Sequence, residues 1–243
     1  MTSGSAQEAR RASAAIEGWL TEREGQLLFD LASRCPADLA IVEIGSWKGK
    51  STVWIAAGAQ ATGAPRVFAI DPHERSLENP AANTLDAFIS NLREAGVEEL
   101  VTPIVAASHD AARTFSRTPG FVFIDGSHLE PAVRVDLEDW ISKLPEGGIV
   151  ALHDVLNGKW TGPRRALRAY LWRSTNVSAA RFVDSIAWMR KTAHVTVGDR
   201  FRNWAICLLL TAYDVKAMGL PTPIMSALRF VYRRTPLKRQ PQS

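Results

Sequence analysis

Long apolar runs, paired cysteines and a strong net charge are all missing from this chain of 243 residues. The most apolar stretch, WAICLLLTAY at 204–213, has ten residues against the ~20 that cross a bilayer, so a transmembrane helix is not expected there. Two cysteines, Cys35 and Cys207, form neither a secreted disulfide framework nor the CxxC spacing of a structural zinc site, and both are read as reduced thiols. No apolar run stands behind the small, polar segment 1–11, which excludes a secretory signal there and points to the cytoplasm. What is present is ordinary for a globular protein: 46% hydrophobic and 22% charged residues, enough for one large domain or two small ones that bury roughly 70% of the unfolded surface.

The net charge of +4 conceals an asymmetry. Residues 200–243 carry eight Lys/Arg against the single acid Asp214, leaving residues 1–199 at −3. A basic end of this kind is most often a solvated tail, and no nucleic-acid partner is expected. For 204–213 three readings stand side by side: a C-terminal helix packed on the domain, an interfacial helix on anionic lipid, or a contact between copies in a homo-oligomer.

The hydrophobic pattern alternates between strand and helix. Ile16, Leu20, Leu27, Leu28 and Leu31 predict an amphipathic helix over 14–34, interrupted near Thr21–Gly25. Strands are predicted at 39–44, 67–70, 101–105, 121–124 and 149–152, with helices at 51–59, around 85–92, after Pro131, and from 166. Phe182 to Arg190 reads as one later strand, the sheet running to about Val197. Parallel strands need right-handed helical crossovers, so the expected fold is a doubly wound, mostly parallel α/β sheet. The expected organisation is a flexible N-terminus over 1–13, one domain over 14–197, and a basic, partly helical extension over 198–243.

Ligands of such sheets bind outside the carboxyl ends of the strands, where strand order reverses. The polar residues there are Glu43 and Gly45, then Asp71, then Ser108, then Asp125 and His128, then His153 and Asp154. Any one alone is more often a cap or a surface group; the set is harder to dismiss. The turn Gly45–Thr52 suggests a phosphate loop, but its glycines enclose three residues rather than four, and Glu43 would oppose a polyphosphate. A nucleotide hydrolase therefore stands as a rival only. A carboxylate before a glycine turn and a second at the end of the next strand suit a ligand with a cation at one end and a ribose at the other, as in S-adenosylmethionine.

The segments IVEIGSWKGKST (41–52), VFAIDPHE (67–74), FVFIDGSH (121–128) and GGIVALHDV (147–155) together resemble the class I S-adenosylmethionine-dependent methyltransferases. More narrowly, they resemble the metal-dependent branch with macrolide-sugar and rhamnosyl O-methyltransferases, over about residues 16–195. The resemblance implies that Glu43, Gly45, Ser46, Gly49 and Ser51 line the methionine end of the cofactor, Asp71 the ribose and Ser108 the adenine, with Asp125 bordering the same site. It implies a Mg²⁺ site at Asp125 and Asp154 and His128 as general base beside Asp125; His153 reads equally as a further ligand or as a buried histidine that supports the ligands. One departure stands out: relatives often place a carboxylate or amide beside the second metal aspartate, where this chain has His153 and Val155.

The chemistry is consistent with those roles. Methyl transfer from a sulfonium needs an acceptor oxygen held in line and stripped of its proton, a task for hard carboxylates with a cation and a histidine of pKa ~6.5. The expected activity is O-methylation of a small-molecule or saccharide acceptor. Catechol or phenol methylation is the rival within enzymes, and a non-catalytic, cofactor-binding or membrane-associated accessory protein the rival outside them. Arg164, Arg165, Arg168 and Arg173 read as a solvated helix face or a contact for an anionic acceptor. His73, His109 and His194 read as surface or capping residues.

Overall fold

Five short apolar segments become the parallel core of a seven-stranded sheet: β1 (Ala40–Ile44), β2 (Val67–Ile70), β3 (Val101–Ile104), β4 (Pro119–Ile124) and β5 (Ile149–Leu152). The computed structural model describes residues 5–61, 63, 66–74 and 83–217. The sheet continues with β6 (Arg181–Val183) and β7 (Ile186–Arg190), in the order β3-β2-β1-β4-β5-β7-β6. Strand order therefore reverses between β1 and β4, which pair in register from Ile41↔Phe121 to Ile44↔Ile124. A ligand crevice belongs at that point.

Eight helices among the described residues cover the two faces: α1 (Ala6–Ala14), α2 (Glu22–Ala32), α3 (Lys50–Gln60), α4 (Leu85–Glu94), α5 (Ser108–Thr114), α6 (Glu130–Lys143), α7 (Gly162–Arg173) and α8 (Val197–Ala217). Alternation along the strands divides the core. Ile41, Phe121, Phe123 and Ala151 pack with α2, α3 and α4, whereas Val42, Val122, Ile124, Val150 and Leu152 pack with α6, α7 and α8.

Several sequence-based boundaries move. Of the interrupted helix expected over 14–34 only α2 forms, with Ile16 and Leu20 in the loop before it, and α1, all but Ala14, lies in the stretch read as a flexible N-terminus. It is started by a capping box of Ser5 and Glu8 and buries Ala9. The break falls before Thr21, because Thr21 and Glu24 form a second capping box that starts α2. Gly25 lies inside that helix, where a Cβ would come within 2.3 Å of the Trp54 ring.

The single strand over 182–190 is a hairpin, β6 and β7, turned at Asp184 with φ +48° and antiparallel to β5. The last pairing is the bridge Val177↔Lys191, short of Val197. The short helix α5 was not expected.

The boundary placed at 197 falls at the start of α8, which belongs to the same core: Cys207 and Leu210 are buried in it, and buried Asn203 accepts the Ala180 N–H at 3.0 Å. Of the three readings for 204–213, packing on the domain holds for this face of the helix. Residues 218–243, and with them most of the basic tail, lie outside the described residues. Both cysteines are free and buried, and burial pushes their thiols up, Cys35 to about 12 and Cys207 to about 11. Among the described residues no helix is long and apolar enough to cross a membrane.

Candidate active site

The chain leaves β1 through a turn that only glycine can make at its first position. Gly45 has φ +83°, and a Cβ there would lie 2.3 Å from the carbonyl oxygen of Asp125 at the end of β4. The turn and the Asp125 loop are thus in direct contact across the switch point. Ser46 is buried, and among the described residues its hydroxyl has no hydrogen-bond partner, as is also true of the Trp47 indole N–H. Gly49, with φ +88°, closes the turn on the Ser46 carbonyl at 2.7 Å and starts α3 without a side-chain cap, so the first N–H groups of that helix are left for a ligand.

Glu43 and Ser51 sit beneath the turn. The Ser51 and Thr52 hydroxyls donate to the two Glu43 carboxylate oxygens at 2.6 and 2.5 Å, and the side chain is fully buried. Burial, reinforced by Asp125 and Asp71 and opposed by these two hydroxyls, pushes the Glu43 carboxyl up to about 7. Both residues brace the turn from inside.

Asp71, at the end of β2, accepts the Trp47 N–H at 2.9 Å and the His73 N–H at 2.7 Å, one on each oxygen. His73 is a buried brace to Thr84 at 2.9 Å, and burial pulls its pKa down against the nearby Asp71. Ser108 faces the other way: its hydroxyl accepts the Trp140 indole N–H at 2.9 Å and also bonds Asp136, a carboxyl that burial raises to about 6. It ties α5 to α6.

The second half of the site is a polar cluster at the ends of β4 and β5. His128 Nε2 meets Asp154 Oδ2 at 2.8 Å, and the His128 ring stacks on Trp160 with centroids 4.6 Å apart. Asp125, His128 and Asp154 each offer a ligand atom within 4.8 Å of the others, a set able to hold a metal ion. His153, read as a ligand or as a supporting histidine, is tied to two carboxylates. Its Nδ1–H donates to Asp125 at 2.9 Å, while Nε2 lies 3.5 Å from Glu24 of α2. Burial opposes protonation of His153, but Asp125, Glu24 and Asp154 outweigh it and raise its pKa well above the usual value; a protonated imidazole has no lone pair for a metal. Asp125 is raised by burial, with His153 pulling the other way, and Asp154 is lowered because His128 and His153 outweigh its burial.

Support for this cluster comes from residues that sequence reasoning missed. Glu24 also accepts from Ser185 N–H at 2.8 Å and its hydroxyl at 2.7 Å; burial raises its carboxyl, but His153 and Ser185 bring it down to about 2. Asp154 has a left-handed φ of +58° and accepts from Asn157 Nδ2 at 2.6 Å. Arg164, read as solvated, is 1% exposed and donates to the Val155 and Asn157 carbonyls at 3.0 and 3.1 Å, held in turn by Asp214 of α8 at 2.6 Å. Tyr213 donates to the Leu156 carbonyl between them at 3.1 Å. Trp160, Trp47 and the capping-box glutamate were visible as residue types, but nothing in their local spacing announced these contacts.

Residues 42–155 match the family described as "Methyltransferase domain". The matched stretch contains the turn after β1 and the ends of β2, β4 and β5, and in it the chain is similar to that family. Solved structures share the fold. Cofactor-bound Rv0187 from MTB is 22% identical, with 76% of this chain and 87% of that one covered and a TM-score of 0.60. The O-methyltransferase TomG of Streptomyces achromogenes, solved with S-adenosylmethionine and involved in tomaymycin synthesis, is 23% identical over 77% and 88%, TM-score 0.57. An O-methyltransferase from Bacillus cereus, solved with S-adenosylhomocysteine, is 21% identical over 76% and 90%, TM-score 0.57.

Proposed function

We propose that the protein transfers the methyl group of S-adenosylmethionine to a hydroxyl of a sugar or glycosylated metabolite. The observation that carries this reading is the contact, across the β1–β4 switch point, between a glycine turn with an unpartnered buried hydroxyl and a His–Asp cluster. The turn fits the cofactor. Ser46 Oγ and the uncapped start of α3 are donors for a carboxylate, and Asp71, with one N–H on each oxygen, retains lone pairs for ribose hydroxyls. Bound there, the cofactor supplies an electrophilic methyl group on a sulfonium.

Asp125 and Asp154 are the residues that would hold a divalent cation, which would lower the pKa of an acceptor hydroxyl. Two carboxylates suit a hard cation such as Mg²⁺ or Mn²⁺. His153 is a positioning residue: its Nδ1–H donates to Asp125 and fixes that carboxylate. His128 is the base. With its Nε2–H on Asp154, the imidazole lone pair falls on Nδ1, which takes the acceptor's proton while Asp154 steadies the imidazolium. Trp160, with the Lys159 ammonium 4.5 Å from its ring, and the 80%-exposed Trp19, stacked on Trp47, provide flat apolar surfaces suited to one face of a sugar ring. The same Trp160 plane favours a phenolic acceptor as the second reading.

Calorimetric titration with S-adenosylhomocysteine, in parallel with ATP, tests the cofactor. Micromolar binding of the former alone is expected; binding of ATP alone would turn the reading toward phosphate. Transfer of labelled methyl to a panel of glycosides and phenols, with and without EDTA, tests the rest. Labelling of phenols only would overturn the sugar acceptor, and full activity in EDTA the cation.

A further inference from the structure

The two sides of α8 differ in what they meet. One buries Asn203, Cys207 and Leu210 against the domain. The other carries Val197, Phe201, Trp204 and Leu208, spaced i, i+4, i+7 and i+11 and therefore in one stripe, each between 41% and 86% exposed. Trp172 of α7, 56% exposed, extends the stripe sideways, its ring 6.2 Å from that of Trp204. Five large apolar side chains together on the surface of a chain are a feature that calls for a partner.

The charge around the stripe selects the partner. The Arg200 guanidinium lies over the Trp204 ring at 5.5 Å, Arg202 is exposed on the same helix, and exposed Arg165 stands two turns before Trp172 on α7. Of the acids nearby, Asp214 is paired with Arg164 and Arg168, while Asp199, held by Thr196 and the Ala179 N–H, keeps its charge and is outnumbered by Arg200 and Arg202 beside it. Beyond Asp214 the sequence contains no Asp or Glu and six Lys/Arg. A second copy of the chain docking through this stripe would bring arginine against arginine, and the chain's own basic C-terminal segment would meet like charge. An anionic bilayer meets neither objection. Its headgroup phosphates attract the arginines, while Trp, Phe and Leu insert at the headgroup–acyl boundary.

We propose that the α7–α8 face docks on an anionic lipid surface, holding the domain at the membrane without crossing it. The proposal is independent of the methyl-transfer reading, since the stripe lies outside the site described above. Flotation of the full chain with phosphatidylcholine vesicles, alone or with about a third phosphatidylglycerol, is the test. The chain is expected to float with the anionic vesicles only and to be released as salt shortens the screening length. Phe201→Glu combined with Leu208→Glu should weaken flotation at least tenfold while leaving melting and S-adenosylhomocysteine affinity as in the wild type. A photo-crosslinking phenylalanine at position 201 should capture lipid. Absence of flotation, flotation that survives the double substitution, or crosslinking to a second copy or to residues 218–243 would each overturn the proposal.

Discussion

The glycine turn after β1 and the polar cluster after β4 and β5 touch each other, yet they are built in opposite ways. The turn is built locally. Its shape follows from two glycines with positive φ, and its underside from Glu43, Ser51 and Thr52, all within ten residues of one another. The cluster is assembled from a distance, with Glu24 from α2, Arg164 from α7, and Tyr213 and Asp214 from α8 all acting on a few residues around Asp125 and Asp154. A locally built site fails by backbone conformation; a remotely built one fails when a buried polar partner is lost.

Gly45→Ala is the largest expected break. A methyl group 2.3 Å from the Asp125 carbonyl, on a residue at φ +83°, forces apart the two loops that form the site. A loss of roughly 3 kcal/mol in stability or more, and at least a hundredfold in S-adenosylhomocysteine affinity, should appear in chemical unfolding and calorimetry. Wild-type affinity would mean that the turn does not depend on its glycine.

Glu24→Ala attacks the remote half. It removes a buried partner of protonated His153 and also leaves the Ser185 N–H without its acceptor. Breaking a buried pair from one side costs about 3–5 kcal/mol. The comparison predicts that, below the melting transition, cofactor affinity stays within a few-fold of wild type while turnover falls. Equal loss of both would erase the distinction between the two halves.

This contrast also explains what could be read in advance. Strand–turn–helix units leave short-range marks, so the parallel sheet, the switch point and the residues at its edge were legible: Gly45, Gly49 and Asp71 on one side, Asp125, His128 and Asp154 on the other. Roles set by tertiary contacts were not. The tie of the Ser108 hydroxyl to Trp140 and Asp136 leaves no mark in its own segment, and Arg164 looked solvated because nothing near it in sequence reveals Asp214. His153 stood out as a motif residue, but its partner Glu24 lies on another element, 129 positions earlier. Residues 181–190 misled for a related reason: a two-residue turn at Asp184–Ser185 interrupts a continuous apolar pattern without glycine or proline.

Glu43→Gln sharpens the local side through pH. The folded chain keeps the Glu43 proton up to about pH 7, whereas the unfolded chain releases it near the ordinary 4.5. Between those values the folded state binds more protons, so this group's contribution favours folding below pH 4.5 and is lost as pH rises to about 7. The stability of Glu43→Gln relative to wild type should therefore climb across that window by up to about 3 kcal/mol and be constant above it. A difference that does not change with pH in chemical unfolding would mean that Glu43 ionises freely beneath the turn.

Tyr213→Phe makes the smallest and most local change. It deletes one hydroxyl, the donor to the Leu156 carbonyl, and leaves the ring stacked against the Arg164 guanidinium 4.6 Å away. The net worth of such a bond is about 1 kcal/mol. Because the neighbouring carbonyls of Val155 and Asn157 remain tied to Arg164, global stability should barely move, while amide exchange over 155–160 should quicken several-fold. Asp154 is held in a left-handed conformation at the head of this loop, so even slight loosening should reach the cluster and lower turnover without altering cofactor affinity. If exchange in the loop is unchanged, α8 merely covers the domain; if exchange rises and turnover does not, the geometry of Asp154 is set by β5 and Asn157 alone.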